Sequence, residues 1–286
     1  MKCKQIWLGL GLILTLVLFS GAAWAGDGAL DPSFNHFTGV SKIPIIRGQV
    51  NWTTNGYPAG NSLIFGYFTS ITDNNSVNHA VNSIAKLTGF NGAVDTNFNI
   101  PVNGEVRGAL LADPTISTCD IIIWGSFSLA SSGTTYYNLA RLKWNVSAYA
   151  VDATFPHIFN QVVTGRGVSV SAVNAVAVMG TYLSSYVMVG GYNMQVQGDL
   201  THAYHLIRLS PTFSYDNTYG PTNAYTQAKS LPGGDVTAIG VQSNQPRIIG
   251  TLPVADGSGN WNGTFHWFEA FDSTTVTFKK SLGDQP

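Results

Sequence analysis

The chain has 286 residues, only 10% of them charged, and its 14 Lys and Arg nearly balance its 15 Asp and Glu. A typical globular chain has about 25% charged residues, so this surface must be built largely from Asn, Ser, Thr, Gly and Tyr. The sequence contains no basic stripe, which argues against nucleic acid or an anionic lipid surface as a partner.

The first 25 residues have the pattern of a secretory signal peptide. Two lysines precede an apolar run over residues 6–19, and Ala23-Trp24-Ala25 fits the small-x-small cleavage rule. The alternative is an uncleaved anchor, but a run of roughly 14 apolar residues is shorter than the ~20 needed to span a bilayer. We therefore predict cleavage after Ala25 and no stable membrane insertion afterwards. The secreted chain, residues 26–286, would lie in the periplasm, at the cell surface or outside the cell, with Cys119 as its only cysteine.

A short motif recurs four times in the mature chain, each time with an Asp followed three positions later by an aromatic ring. The motif residues are Asp31 and Phe34, Asp95 and Phe98, Asp152 and Phe155, and Asp216 and Tyr219. The aspartates are separated by 64, 57 and 64 residues. A period near sixty residues indicates that one supersecondary unit was copied along the chain.

Each copy carries two apolar runs with turn-forming residues between them, which is the pattern of a β-hairpin. The second run of each hairpin contains a glycine near its end, and the four runs are 63–68, 121–127, 187–192 and 247–252. A third element follows in each copy. It ends in a basic residue and Leu at Lys86-Leu87, Arg141-Leu142 and Arg208-Leu209, whereas the fourth copy, Trp267-Phe268-Glu269-Ala270-Phe271, lacks the basic residue.

The repeat predicts an all-β fold with about four short strands per copy and no helix-length periodicity. Four antiparallel strands in about sixty residues match the size of one propeller blade. We predict a single β-propeller-like domain of four to five four-stranded blades. The copies span about residues 26–87, 88–142, 143–209 and 210–271, and the tail, 272–286, would supply a strand that closes the ring.

Taken together, these features resemble the bacterial delta-60 repeat proteins, a family of β-propeller domains. The resemblance is carried by Gly28-Ala29-Leu30-Asp31-Pro32-Ser33-Phe34, by Ala140-Arg141-Leu142 and by Val189-Gly190-Gly191, and it extends over about residues 26–271. The resemblance implies secretion and a repeat architecture. It implies no defined catalytic activity, so it supplies no active site.

The repeated polar residues have a structural and a functional interpretation. The motif aspartates would each accept a backbone N–H and fix a turn, with the motif aromatics anchored between blades. If the aspartates instead converged on a central channel, they would form a cation site. Lys86, Arg141 and Arg208 would contact a neighbouring strand or the Asp of the adjacent unit, or else form a basic collar that attracts an anion. In both cases we favour the structural interpretation.

The sequence contains no recognisable catalytic or metal-binding motif. His202 and His205 are three residues apart, which on a strand places them on opposite faces. No nucleophile elbow, phosphate-binding loop or dinucleotide fingerprint is present. We therefore predict no cofactor, no metal and no catalytic residues.

Aromatic residues give the strongest indication of binding. Trp261, Trp267, Tyr136 and Tyr137 are placed in predicted loops or at strand ends, where rings could stack on a sugar or on a protein. The leading hypothesis is an exported, non-enzymatic binding or scaffold protein of the bacterial cell envelope, with a protein or polysaccharide ligand. One alternative, by analogy of fold, is a carbohydrate-active hydrolase or lyase with its site at the propeller channel. The other is a structural surface protein that associates with itself.

Overall fold

The computed structural model describes twelve stretches of the chain, all of them built from strands, turns and loops without a helix. They are residues 44–54, 57–73, 75–89, 92–161, 163–164, 167–168, 171–198, 204–216, 235–242, 245–255, 261–270 and 276–281. The predicted signal peptide, 1–25, and the motif residues Asp31, Phe34 and Tyr219 lie outside these stretches. None of the described residues belongs to a helix long and apolar enough to cross a membrane.

Four antiparallel sheets, each a meander, account for most of the described residues. Sheet 1 contains β1 (Ile45–Thr54), β2 (Tyr57–Tyr67), β5 (Ile84–Thr88) and β6 (Ala93–Val94), with the small hairpin β3 (Ser70–Thr72) and β4 (Asn78–Ala80) inserted after β2. Sheet 2 contains β7 (Asn103–Leu111), β8 (Ile121–Ser131), β9 (Thr134–Asn145) and β10 (Ala148–Val151). A second small hairpin, β11 (Val163–Thr164) and β12 (Gly167–Val168), follows sheet 2.

The remaining two sheets follow the same order of strands. Sheet 3 contains β13 (Ala172–Val178), β14 (Val187–Met194) and β15 (Tyr204–Leu209), and a bridge between Leu209 and Tyr215 stands in the place of a fourth strand. Sheet 4 contains β16 (Asp235–Gln242), β17 (Gln245–Ala255), β18 (Trp261–Ala270) and β19 (Val276–Ser281). The prediction of an all-β fold from antiparallel strands is confirmed. The four apolar runs that carry the glycine lie in β2, β8, β14 and β17, the second strand of each sheet.

The sheets follow one another in chain order and pack through their first strands. Strand β7 packs against β1 and β2, β13 against β7 and β8, and β16 against β13 and β14. A sheet in the middle of this series is covered on both faces, and its central strand should therefore read as a continuous apolar run. This explains Ile121, Ile122 and Ile123, three consecutive residues of β8 that are all fully buried.

Sheets 1, 2 and 3 are each completed by residues of the next sequence copy. The fourth strand of sheet 1 ends at Val94, directly before Asp95, and that of sheet 2 ends at Val151, directly before Asp152. In sheet 3, Tyr215 occupies the same place before Asp216. The sequence repeat, counted from its Asp motif, is therefore one strand out of phase with the sheets.

The first strand of every sheet contains a β-bulge at the same position. The register shifts lie between Ile46 and Gly48, Val106 and Gly108, Val173 and Ala175, and Val236 and Ala238. The extra residues are Arg47, Arg107, Asn174 and Thr237. A bulge leaves one residue outside the ladder and increases the local twist of the strand.

The glycine of each second strand lies opposite this bulge, and the geometry requires it. A Cβ atom at Gly66, Gly125, Gly191 or Gly250 would lie closer than 3.0 Å to a backbone carbonyl oxygen of the first strand, a distance that real Cβ atoms essentially never show. At Gly125, for example, the colliding oxygen belongs to Glu105. The glycine recurs because a side chain at this position would force the two strands apart.

We expect Gly125→Ala to destabilise the protein by about 3 kcal/mol or more, because the new methyl group meets backbone atoms that cannot move aside. The control is Gly92→Ala in the turn between β5 and β6, where a Cβ would meet nothing within 4 Å but φ is +69°. That change should cost only about 1 kcal/mol of backbone strain. The measurement is the midpoint of urea unfolding followed by circular dichroism, and equal losses for the two variants would contradict the close-approach argument.

Candidate functional site

The basic residues of the third strands form ion pairs with the aspartates of the repeat motif. Each pair joins the cation of one copy to the Asp of the next copy. The pairs are Lys86 Nζ with Asp95 Oδ2 at 3.0 Å, Arg141 Nη2 with Asp152 Oδ2 at 2.6 Å, and Arg208 Nη2 with Asp216 Oδ2 at 2.8 Å. The same contact therefore recurs in sheets 1, 2 and 3.

Two kinds of hydrogen bond hold the motif Asp in place, and both are described for Asp95 and Asp152. In all three pairs the amide of the Asp donates to the carbonyl oxygen of the basic residue, over 2.8 Å, 2.9 Å and 3.1 Å in chain order. The second carboxylate oxygen accepts bonds within its own turn. Asp152 Oδ1 accepts the amide and the hydroxyl of Thr154 at 2.8 Å and 2.7 Å, and Asp95 Oδ1 accepts the amide of Asn97 at 3.1 Å. One oxygen thus binds the cation while the other fixes the turn.

The basic groups of Lys86, Arg141 and Arg208 pack against aromatic rings, and little of their surface is exposed. Their side chains are 9–12% exposed. Lys86 Nζ lies 5.9 Å from the ring centres of Trp144 and Tyr149 in sheet 2, and Arg208 Cζ lies 4.2 Å from the ring of Tyr186. A paired, covered cation offers little to an external anion, so the geometry does not favour a basic collar.

The motif aromatics that the structure describes lie in the core. Phe98, 4% exposed, packs edge to face against Tyr149 of sheet 2, with 5.6 Å between ring centres. Phe155, 3% exposed, packs against Phe213 just beyond sheet 3, at 5.2 Å. Each ring therefore joins the linker after one sheet to the outer part of the next sheet.

At the ion pair in sheet 2, the pKa values of Asp152 and of the nearby Tyr182 depart from their ordinary values. Burial acts to raise the pKa of Asp152, but hydrogen bonds from Thr154 and Arg141 outweigh it and hold the pKa below its ordinary value. Tyr182 of the next sheet lies 3.4 Å from Asp120, and burial raises the pKa of Tyr182 to about 12. The phenol therefore stays protonated at any physiological pH and can donate to a carboxylate.

A second polar arrangement runs across the first strands of all four sheets, and we call it the polar row. Its members are Arg47 in β1, Glu105 and Arg107 in β7, Asn174 in β13 and Asp235 in β16. Glu105 Oε1 accepts from Arg47 at 2.6 Å and Glu105 Oε2 from Arg107 at 2.9 Å. The row continues because Arg107 donates to Asn174, and Asn174 Nδ2 donates to Asp235 and, at 3.0 Å, to the carbonyl of Val236.

The bulges place these side chains next to one another. Three members of the row are the extra residues of their bulges: Arg47, Arg107 and Asn174. The other two, Glu105 and Asp235, each lie two positions before the extra residue of a bulge. The side chains of Arg47 and Arg107 are 45% and 29% exposed, so guanidinium edges remain available to solvent. The row therefore presents hydrogen-bond donors and acceptors along adjacent sheets, a surface suited to a polar ligand.

The two carboxylates of the row are shifted in opposite directions. Burial acts to raise the pKa of Glu105, but the hydrogen bonds from Arg107 and Arg47 outweigh burial and lower it. Burial raises the pKa of Asp235, and the opposing effects of Arg107 and Asn174 do not cancel this increase. Shifted carboxylates are enriched at functional sites, although structural networks also produce them.

The four aromatic residues singled out from the sequence are separated by the fold. Tyr136 is 2% exposed and its hydroxyl donates to the carbonyl of Asp152 at 3.3 Å, so this ring belongs to the core. Tyr137 is partly buried, with its ring centre 6.3 Å from that of His157. Trp261 and Trp267 lie in β18, opposite Ala255 and Ile249 of β17, and the structure describes the backbone of these two residues but not their side chains.

Two other kinds of site, a metal centre and a reactive thiol, are not supported by the described residues. Within the described stretches no group of three or more His, Cys, Asp or Glu is arranged to hold a metal ion. Cys119 is buried, and burial raises the pKa of its thiol, which makes it a poor nucleophile.

Comparison with known proteins gives no relative: no protein-family model, no curated protein and no solved structure matches the chain.

We expect Asp152→Asn to destabilise the protein by about 3 kcal/mol at neutral pH, because among the described carboxylates it leaves the buried Arg141 with the more distant Asp120, at 3.9 Å. The control is Asp113→Asn, since Asp113 makes the same turn with Thr115 but has no ion pair among the described residues. Its effect should be much smaller.

This loss should depend on pH in a defined direction. The pKa of Asp152 is lower in the folded than in the unfolded chain, so the ionised group stabilises the fold above its unfolded value of about 3.8. The difference between wild type and Asp152→Asn should therefore shrink as the pH falls below about 4. Urea unfolding at several pH values measures it, and a difference unchanged at the lowest pH would exclude the ion pair as its source.

The polar row generates a prediction in which two similar substitutions have unequal effects. Glu105→Gln should lower stability by roughly 1 kcal/mol at neutral pH, because the ionised carboxylate is favoured by two arginines. Asp235→Asn should leave stability unchanged or raise it, since burial disfavours the ionised form there and the amide oxygen can still accept from Asn174. Thermal unfolding of both variants tests this, and equal losses would contradict the assigned shifts.

Proposed function

We propose that the chain is an exported, non-enzymatic protein of the bacterial cell envelope that binds a protein or a polysaccharide through a β-propeller-like domain. The observation that carries the proposal is the polar row on the adjacent first strands of four successive sheets. In a propeller the first strands of the blades stand next to the central axis, and ligands bind there or at the loops around it. The delta-60 resemblance and the signal-like N-terminus support export.

The chemistry of the surface supports a ligand without a strong charge. The chain has a net charge of −1, and the polar row pairs its own positive and negative groups. Such a row offers directional hydrogen bonds instead of a net field. Hydroxyl groups of a polysaccharide, or the main chain and amides of a protein, match this pattern of alternating donors and acceptors.

The site for the ligand includes Trp261 and Trp267 in this proposal. Trp and Tyr supply large, rigid contact areas and are enriched among the residues that dominate binding energy. Tyr137 is the third candidate, whereas Tyr136 is committed to the core.

We expect the Trp261→Ala, Trp267→Ala double variant to bind an isolated envelope fraction at least about tenfold more weakly than the wild type, because aromatic anchors carry most binding energy. Arg107→Ala tests the polar row in the same pull-down. Tyr192→Ala is the control, since Tyr192 is an exposed aromatic residue of sheet 3, 39% exposed, outside the proposed site.

Circular dichroism accompanies each pull-down variant to show that its fold is intact. Retention of folded double variant and folded Arg107→Ala at the wild-type level would remove both parts of the proposed site.

A second function is a carbohydrate-active hydrolase or lyase, and the opposite pKa shifts of Glu105 and Asp235 favour it. Both carboxylates belong to the polar row, with Arg107 and Asn174 between them, and acid–base hydrolysis uses one carboxyl group with a raised pKa and one with a lowered pKa. Wild-type protein incubated with a panel of polysaccharides tests this, with Glu105→Gln and Asp235→Asn as the inactive controls. Absence of turnover across the panel would remove the enzymatic candidate and leave the binding proposal standing.

A further inference from the structure

Sheets 2 and 3 each direct one face back toward the sheet before them. Trp124 of sheet 2 points forward, because its indole N–H donates to a carbonyl oxygen of β13 in sheet 3 at 3.1 Å. Ile123, the residue before it, therefore points back toward sheet 1. In sheet 3, Gly190 lies against side chains of β16 in sheet 4, so Val189 points back toward sheet 2 in the same way.

The backward face of each sheet carries an equivalent pair of apolar residues, one on the second strand and one on the third. The pairs are Ile64 with Ala85, Ile123 with Ala140, and Val189 with Ile207. In sheets 2 and 3 these residues belong to the main core, which extends across the sheets, and each is at most 2% exposed. In sheet 1 the pair belongs to a separate small core instead.

The cover of this small core is the β3–β4 hairpin together with the residues at its base, 68–81, and we call this segment the cap. Phe68 and Val81 pack on the pair of sheet 1 and are 5% and 7% exposed, and Ile71 of β3 packs against them. The outward residues of the hairpin include Ser70, Thr72 and Asn78, all polar and exposed. Among the strands that the structure describes, no sheet precedes sheet 1. The cap therefore takes the place that a preceding sheet has in sheets 2 and 3.

Polar contacts hold the cap closed at its tip and at its base. At the tip, Asp73 Oδ1 accepts two amides of the turn, each at 2.9 Å, and Asp73 Oδ2 lies 3.1 Å from His79 Nε2. At the base, the amide of Ser83 donates to the carbonyl oxygen of Phe68 at 2.8 Å. A two-stranded hairpin alone is only marginally stable in water. These bonds and the apolar contact with sheet 1 therefore stabilise the cap together.

We propose that the cap blocks self-association, because it occupies an apolar face through which chains would otherwise pack on one another. The same face binds a sheet of this repeat in sheets 2 and 3, so an uncovered copy of it would attract further apolar surface. In proteins built from stacked repeats, a terminal repeat with a polar outer face has this role. The inference uses neither the polar row nor a ligand, so it is independent of the proposed function.

The first test removes the cap from the otherwise complete chain. In this uncapped variant a short turn of Asn and Gly replaces residues 68–82. The new ends are already adjacent, because the amide of Gly66 donates to the carbonyl oxygen of Ser83 at 2.9 Å. In sedimentation velocity, the uncapped variant should associate at concentrations at least about tenfold lower than wild type. An uncapped variant that is folded by circular dichroism but sediments like wild type at every concentration would overturn the proposal.

The second test shows whether the uncovered face causes the association. Adding Ile64→Lys to the uncapped variant should restore the sedimentation of wild type, because association would then bury a charge. Adding Val146→Lys is the matched control: Val146 lies in the β9–β10 turn, is 90% exposed, and its replacement should leave the association of the uncapped variant unchanged. Association that persists with Ile64→Lys would arise from another surface and would contradict the proposal.

A milder variant, Phe68→Ala, decides the question if the uncapped chain does not fold. It keeps the chain length and removes the largest side chain of the small core. Phe68→Ala should associate more strongly than wild type, and Ile64→Lys in the same chain should reverse this effect. Folded Phe68→Ala that sediments like wild type would overturn the proposal. Self-association of wild type that Ile64→Lys abolishes would also overturn it, since the face would then be open in the native chain.

Discussion

The close approach of two backbones at the bulge governs the arrangement of every sheet. The first strand can bulge toward the second only because Gly66, Gly125, Gly191 and Gly250 have no side chain. The bulge in turn moves one residue out of the ladder and turns it toward the neighbouring sheet. Arg47, Arg107 and Asn174 occupy these places, so the hydrogen bonds of the polar row depend on a glycine in a different strand.

We expect the buried ion pairs to contribute more to specificity than to net stability. Removing an ammonium or guanidinium group from water has a large free-energy cost, which a well-formed pair offsets without a large surplus. A register slip of one residue would move Arg141 to the opposite face of β9, away from Asp152. The recurring pair therefore disfavours slipped strands, a useful property in repeats whose apolar runs resemble one another. In sheet 4 the opposite charges of Arg247 and Glu269 stand in register within the sheet itself.

The periodic features of this fold could be predicted from the sequence, and the features that depend on contact between sheets could not. The apolar runs and the turns recur about every sixty residues, with a basic residue before Leu in three of the four copies, and the second strands of the four sheets follow the same spacing. The sequence left two alternatives for what the basic residues bind, because a repeat does not reveal whether its charged residues pair with one another or with an external ligand. The ion pairs of three sheets answer that question.

The polar row was missed because its members differ in chemical type from copy to copy. Arg, Arg, Asn and Thr at the bulge do not look like a repeat, and only the register of the strands makes them equivalent. The sequence does contain one signal for the row. In each first strand a polar residue interrupts the apolar alternation directly before a small residue, as in Val106-Arg107-Gly108. Tyr136 illustrates the converse: a Tyr next to a turn is compatible with a binding surface, but burial is decided by the sheet that packs on it.

The one-strand offset between the sequence copies and the sheets has a consequence for how the chain folds during synthesis. Each basic residue meets its aspartate across only 9, 11 or 8 residues of chain, so the closing contact of sheets 1, 2 and 3 is local. Short loops close quickly and at a small entropic cost, unlike the pairing of distant strands. During synthesis, which begins at the N-terminus, a sheet can therefore be completed as soon as the first residues of the following copy have been made. Assembly then proceeds in sequence, and no more than one incomplete edge is exposed at a time.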